Sequence, residues 1–271
     1  MAVVRTKTQW FLIALGLALF IIIPWRFPQD WVVWLILLGI YAIAVLGLHI
    51  LTGLCGQFSI GQAAFMAVGA YTTAILTNAH FGPTLTEASW GSWATLPLAG
   101  LFAGLVGLVF ATPSLRIKGF YLVMATIAAQ FIIVWILVYR GWSAWTGGVF
   151  GIKVSALTIG GERLNDLQFW WLTLGLLVVM LILAKNIQRT ATGRKFVAVR
   201  DNDMAAEVMG VNLFRTKLVA FFIGCFYAGI AGWLWAHFFL WISPVEFTFK
   251  DSLWFLGMIV VGGMGSTTGA I

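Results

Sequence analysis

Three side chains that can form hydrogen bonds, Gln57, Ser59 and Gln62, stand among Gly53, Gly56 and Gly61 in the stretch GLCGQFSIGQAAFMAVGAY, residues 53–71. The chain around them is strongly apolar. Glycine weakens a helix, and amides or hydroxyls are unfavourable in hydrocarbon unless they find partners. Such a segment can open a helix, satisfy the freed backbone groups with its own side chains, and offer the same groups to a polar solute. Broken helices of this kind line substrate sites in transporters. A tight turn at the membrane surface between two spans is the plainer reading, and residue types alone do not separate the two. A second glycine-rich break, GGMGSTTGAI at 262–271, repeats the spacing of Gly56 and Ser59 in Gly263 and Ser266, too short a pattern to establish a repeat.

His49 and Gln130 are the other polar residues within apolar runs, and hydrogen bonding inside a bundle is the expected role for each. No apolar run contains Asp, Glu, Lys or Arg, the usual mark of proton relays and ion coupling. HExxH, GxSxG, CxxC and paired-carboxylate patterns are missing from the sequence, so no catalytic residues are assigned. Cys55 and Cys225 lack metal-ligand spacing. We therefore expect neither a cofactor nor a metal site.

The elements that must position these residues are membrane helices. The 271 residues are 61% hydrophobic and only 9% charged, whereas a soluble domain is about 25% charged. Clear spans are Trp31–Thr52, Trp93–Thr112, Gly119–Tyr139 and Leu218–Ile242, each near the ~20 residues needed to cross hydrocarbon. Trp10–Ile23, Ala63–Leu76 and Phe169–Ala184 are shorter candidates, and an eighth run begins near Leu253. The expected fold is an all-α membrane protein, a polytopic bundle of about eight transmembrane helices with one broken or re-entrant segment. Small residues at helical spacing (Ala63, Ala67, Ala70 and Ala74; Gly100, Ala103, Gly104, Gly107 and Ala111; Gly224, Ala228, Ala231 and Gly232) predict close helix packing.

With the N-terminus in the cytoplasm, cytoplasmic segments hold eleven bases against three acids, and the outer segments five bases against six acids. That is the positive-inside pattern, so the basic balance reports topology and not nucleic-acid binding. Tryptophans such as Trp31, Trp93, Trp145 and Trp241 fall near span ends, where headgroups and membrane lipid accept amphipathic rings. The most polar segment is the loop at 185–217. Within it Asp201, Asn202 or Asp203 can cap a short helix over Met204–Met209 that ends at Gly210, with Glu207 in its body. Met204, Ala205, Val208 and Met209 make one apolar face without a base, which favours a protein groove over a lipid surface.

The stretches GLCGQFSIGQAAFMAVGAY, PSLRIKGFYLVMAT, TGGVFGI, GRKFVAVRDNDMAAEVMGVNLFRTKLVAF and SPVEFTFKDSLWFLGMIVVGGMGS, in this order, resemble the permease subunits of branched-chain amino acid ABC transporters, nearer the M-type of the two. The resemblance runs from about Leu51 onward. It implies a single transmembrane permease domain over 1–271 in a bacterial plasma (inner) membrane, forming half of the translocation pathway. It also implies a second homologous permease, two cytoplasmic ATP-binding subunits and a periplasmic substrate-binding protein as partners. On that likeness Asp201–Gly210 is the helix seated in an ATPase groove, and Gln57, Ser59, Gly61 and Gln62 lie at or beside the pathway. The sequence has no GxxxxGK[ST] loop, so ATP chemistry is expected from a partner. Urea, short amides or aromatic acids are alternative solutes, and a stand-alone channel is an alternative of another class. Family members continue past GGMGS through more membrane-crossing chain, so we expect this chain to stop short of the family's C-terminal end.

Overall fold

A computed structural model describes residues 29–77, 91–114, 120–159 and 162–263. The span expected at Trp10–Ile23 and most of the second glycine-rich break lie outside these residues. The helices are α1 (Gln29–Leu48), continued by a π-helical turn (His49–Leu54), then α2 (Gln62–Thr77), α3 (Gly91–Ser114), α4 (Phe120–Val138) and α5 (Ser143–Thr146). They continue with α6 (Asp166–Arg189), α7 (Ala191–Asp201), α8 (Asp203–Val208), α9 (Leu213–Phe239) and α10 (Phe249–Gly262). Strands β1 (Ile152–Lys153) and β4 (Trp241–Ile242) pair antiparallel, as do β2 (Thr158–Ile159) and β3 (Glu162–Arg163).

Among the described residues four stretches are long and apolar enough to cross a membrane: Asp30–Leu54, Ser92–Pro113, Asp166–Arg189 and Leu213–Phe239. The span expected at Phe169–Ala184 is extended at both ends, its start fixed by a capping box between Asn165 and Gln168. The apolar stretch Leu122–Val138 of α4, expected as a full span, is shorter than these four, and the apolar helices α2 and α10 are too short to cross. The 16 residues of α2 and the 14 of α10 reach about 24 and 21 Å at 1.5 Å per residue, against a core of about 30 Å. The α10 helix starts before the apolar run at Leu253, so Lys250 and Asp251 fall in its first turn.

The axis of the bundle is α9. Tyr227 Oη donates to Met180 O of α6 at 2.9 Å, and Trp233 Nε1 donates to Thr95 Oγ1 of α3 at 2.8 Å. Between these anchors the small residues let backbones touch. A Cβ on Gly69 of α2 would lie 2.3 Å from Gly229 O, and one on Gly232 would lie 2.1 Å from Met66 O. Gly229 in turn abuts Ala99 O of α3. The small-residue stripes thus lie at helix contacts, as expected, with Gly232 the closer of the two approaches, while Gly69 and Gly229 add a contact outside the stripes.

The two ends of the bundle differ. At one, the ribbons tie down helix ends: Ser155 Oγ donates to Thr77 O at 2.9 Å and Val154 N to Leu240 O at 2.9 Å. The other end carries α7, α8 and the foot of α1, and with them the bases Lys185, Arg189, Arg194, Lys195 and Arg200. Gly69→Val should force α2 off α9, with a loss of about 1–3 kcal/mol of the kind overpacking produces. Thermal unfolding in detergent reads this directly, and an unchanged midpoint would mean that the helices do not approach so closely.

Candidate functional site: the broken segment and the loop helix

Below Leu48 the helical turn widens into the π form, and the chain leaves the helix at Cys55. Gly56, at φ +71°, turns it back, and residues 56–61 run without helix before α2 begins. The start of α2 sits inside the bundle. Gln62 Nε2 donates to Ala44 O at 3.0 Å and to Gly224 O at 3.2 Å. Ala44 lies ten residues above Leu54, or about 15 Å along a helix. The segment is therefore re-entrant, and the reading as a tight surface turn does not describe it.

A helix that begins at membrane depth exposes N–H groups with no water to bind. Here other helices supply the acceptors. Ile60 N donates to Thr126 Oγ1 at 3.1 Å, Ala63 N to Ser252 Oγ at 3.0 Å, and Ala64 N to Gln130 Oε1 at 2.9 Å. Ser252 Oγ also donates to Gln130 Oε1 at 3.0 Å, while Gln130 Nε2 donates to Phe247 O at 2.9 Å. The first turns of α2 and α10 thus meet at one amide on α4. Gln130 has the bundle-internal role expected of it, and His49 is similar: its Nε2 accepts from Gln188 Nε2 at 3.5 Å.

Gln57, Ser59, Gly61 and Gln62 are brought together, and all four are buried. Ser59 Oγ accepts from Gly61 N at 3.4 Å, and Gln57 Nε2 reaches Cys55 Sγ at 3.7 Å. Among the described residues the Oε1 atoms of Gln57 and Gln62 have no hydrogen-bond partner. These side chains point into the bundle, whereas Phe58 between them is 47% exposed. Beside the junction lies a cavity of about 260 Å³ bordered by Tyr41, Ala63, Met66, Trp235 and Phe255. The carboxyls of Glu246 and Asp251 also line it. Burial raises the Glu246 carboxyl above its ordinary value, and the hydrogen bond from Trp235 Nε1 at 3.1 Å opposes that shift.

The loop helix α8 is capped at both ends. Of the three candidate caps the structure selects Asn202, whose Oδ1 accepts from Ala205 N at 3.1 Å. At the other end Gly210 N donates to Glu207 O and Val211 N to Ala206 O, with Gly210 at φ +81°: a Schellman ending, which a left-handed glycine permits. Asp201 belongs instead to the last turn of α7, where Arg200 holds it. Asp203 pairs with Lys217 of α9 at 2.7 Å. Ala206 faces the bundle, while Met204, Val208 and Met209 are 74%, 87% and 82% exposed. Ala205, Glu207 and Gly210 are exposed too.

Residues 31–271 match the family model described as "Branched-chain amino acid transport system / permease component". The chain belongs to this permease family. It is 33% identical over 285 residues to the high-affinity branched-chain amino acid transport system permease protein LivM of Escherichia coli K12, covering 96% of this chain and 64% of that protein. With the LivM protein of Salmonella typhimurium LT2 the identity is 34% over 252 residues, covering 84% of this chain and 57% of the relative. A more distant relative is the autoinducer 2 import system permease protein LsrC of Klebsiella pneumoniae, 31% identical over 64% of this chain and 48% of that one. The chain thus spans less than two thirds of the length of these relatives. No solved structure matches it. This permease is an all-α, multi-pass membrane protein.

Sequence reasoning missed three contributors: Thr126, Ser252 and Arg200. The first two are single hydroxyls on apolar helices, indistinguishable in sequence from hydroxyls that bond their own helix. Gln130→Leu takes the donor from Phe247 O and the acceptor from the Ser252 hydroxyl, and leaves Ala64 N only Gly61 O at 3.2 Å. Each buried group left unpaired costs about 1–3 kcal/mol, so the permease should unfold at clearly lower temperature in detergent, with faster amide exchange at Ala64. Exchange at Ala64 equal to the wild type would remove Gln130 from the junction.

Proposed function

We propose that this chain is the transmembrane permease subunit of an ATP-driven importer of branched-chain amino acids, set in the bacterial inner membrane with its N-terminus in the cytoplasm. It forms half of the translocation pathway, and a second homologous permease forms the other half. Two ATP-binding subunits drive the cycle from the cytoplasm, and a periplasmic substrate-binding protein delivers the solute. Hydrolysis belongs to the ATP-binding subunits; the permease is no enzyme.

The observation that carries this reading is α8. A helix of 6 residues, closed by a cap at each end, turns Met204, Val208 and Met209 outward on the basic face of the bundle. An exposed apolar face of this kind lacks a reason in an isolated bundle and has one in a protein groove. Asp203, Ala205, Glu207 and Gly210 shape the same knob, and Asp201 acts from the preceding helix. The broken segment supplies the pathway wall: Gln57, Ser59, Gly61 and Gln62 hold residues 56–61 in place, and Phe58 faces outward. Charge-free interior stretches of the spans suit a zwitterionic solute with an apolar side chain better than a coupled ion.

ATP-dependent leucine uptake in vesicles containing all subunits tests the function; equal uptake without this chain would refute it. Val208→Asp tests the knob. Loss of one interface anchor should lower uptake and co-purification of the ATP-binding subunits about tenfold or more. The melting temperature of the isolated permease should stay put, because the side chain is exposed. Normal uptake by this variant would place the ATPase contact elsewhere.

A further inference from the structure

One side chain joins the loop helix to the broken segment. Arg200, in the last turn of α7, donates from Nη1 to Gly53 O at 3.0 Å. Its Nε and Nη2 both donate to Asp201 Oδ1, at 3.0 and 2.9 Å, which fixes the guanidinium plane. Gly53 lies in the π turn at the foot of α1, where carbonyls run out of helical partners. Thr52 O and Leu51 O are taken by Gly56 N and Gln57 N, and Arg200 takes the next carbonyl. The turn is also seated on α7: a Cβ on Gly56 would lie 2.9 Å from Arg200 Cγ and 3.3 Å from Arg200 Cα.

Only Asp201 and Asn202 separate Arg200 from α8. The first residue of α8 is tied elsewhere, Asp203 to Lys217 near the start of α9 at 2.7 Å. The knob is therefore tethered at two points to two helices, and one tether ends on the backbone that opens into residues 56–61. A guanidinium that merely capped α1 would need no such neighbour; here its helix joins α8 directly, because Asn202 is both the C-cap of α7 and the N-cap of α8.

We infer that Arg200 is a positioning residue that carries the displacement of α8 to the broken segment. It pulls on Gly53 O when the ATP-binding subunits move the knob, and Asp201 keeps its guanidinium aimed. The inference rests on the reading of this chain as an ATP-driven importer, and it deepens that reading by naming the link between energy supply and pathway.

The test uses the complete transporter in proteoliposomes, with leucine transported per ATP hydrolysed as one readout. Hydrogen exchange over residues 53–61, with and without a non-hydrolysable ATP analogue, is the second. Arg200→Gln should still assemble and hydrolyse ATP, yet leucine per ATP should fall about tenfold, the effect of losing a hydrogen bond from a charged donor. The nucleotide should no longer alter exchange at 53–61, while protection of 203–208 by the ATP-binding subunits persists. Arg200→Lys, which keeps the charge and one donor, should recover part of both. Should Arg200→Gln fail to assemble, Asp201→Ala, which removes the acceptor that holds the guanidinium plane, must show the same loss. Wild-type stoichiometry and a wild-type exchange response in these variants would overturn the link alone. Losses that merely track a lower melting temperature would reduce Arg200 to a cap and overturn it too. A wild-type complex without ATP-driven uptake would overturn the import reading itself.

Discussion

An apolar slab gives backbone N–H and C=O groups no water to turn to, and this bundle breaks a helix inside one. Everything near the break answers that constraint. The start of α2 is closed by Thr126 and Gln130 from α4 and by Ser252 from α10, so three helices far apart in sequence share one junction. The same amide also accepts from Ser252 and donates to Phe247 O, which ties the start of α10 to the junction, while a capping box of Thr248 and Asp251 closes that helix's own first turn. The short α2 can start part-way through because its first turn is capped by side chains of α4 and α10.

Around that junction the packing leaves little room for graded deformation. Gly69 and Gly232 bring α2 against α9 at backbone distance, and Gly229 brings α9 against α3. Dense cores of this kind move as bodies and switch between arrangements; they do not bend continuously. Motion must therefore enter where attachments are few. On the basic face the attachments next to the exposed knob include Arg200 to the foot of α1 and Lys217 to Asp203, beside the buried Phe196, Val199 and Ala206. The break and the knob thus sit at the two ends of a short mechanical path, with the carbonyl of Gly53 in its middle.

Much of this was legible in the residues. Apolar run lengths located the helices, glycine with Gln57, Ser59 and Gln62 located the break, and Asn202 with Gly210 bracketed the loop helix. What the residue types left open was direction: Gln57, Ser59 and Gln62 are buried and Phe58 is outward, because the segment must first satisfy its own backbone. Of the three caps left open, Asn202 takes the role, because an adjacent guanidinium competes for Asp201. Ser252 and Thr126 gave no signal, since a hydroxyl that caps a distant helix looks like one that bonds its own. Three-dimensional neighbours decided each case, and periodicity carries no record of them.

The most direct measurement uses spin labels on three exposed positions, Phe58→Cys, Met209→Cys and Phe150→Cys, in the assembled transporter; the native Cys55 and Cys225 are buried and stay unlabelled. Pulsed distance measurements with and without trapped nucleotide then report which parts move together. If the broken segment follows the loop helix, the 58–209 distance stays fixed while the 58–150 and 209–150 distances change. A 58–209 distance that shifts with nucleotide while 58–150 holds still would contradict it, because the knob would then be moving without the break.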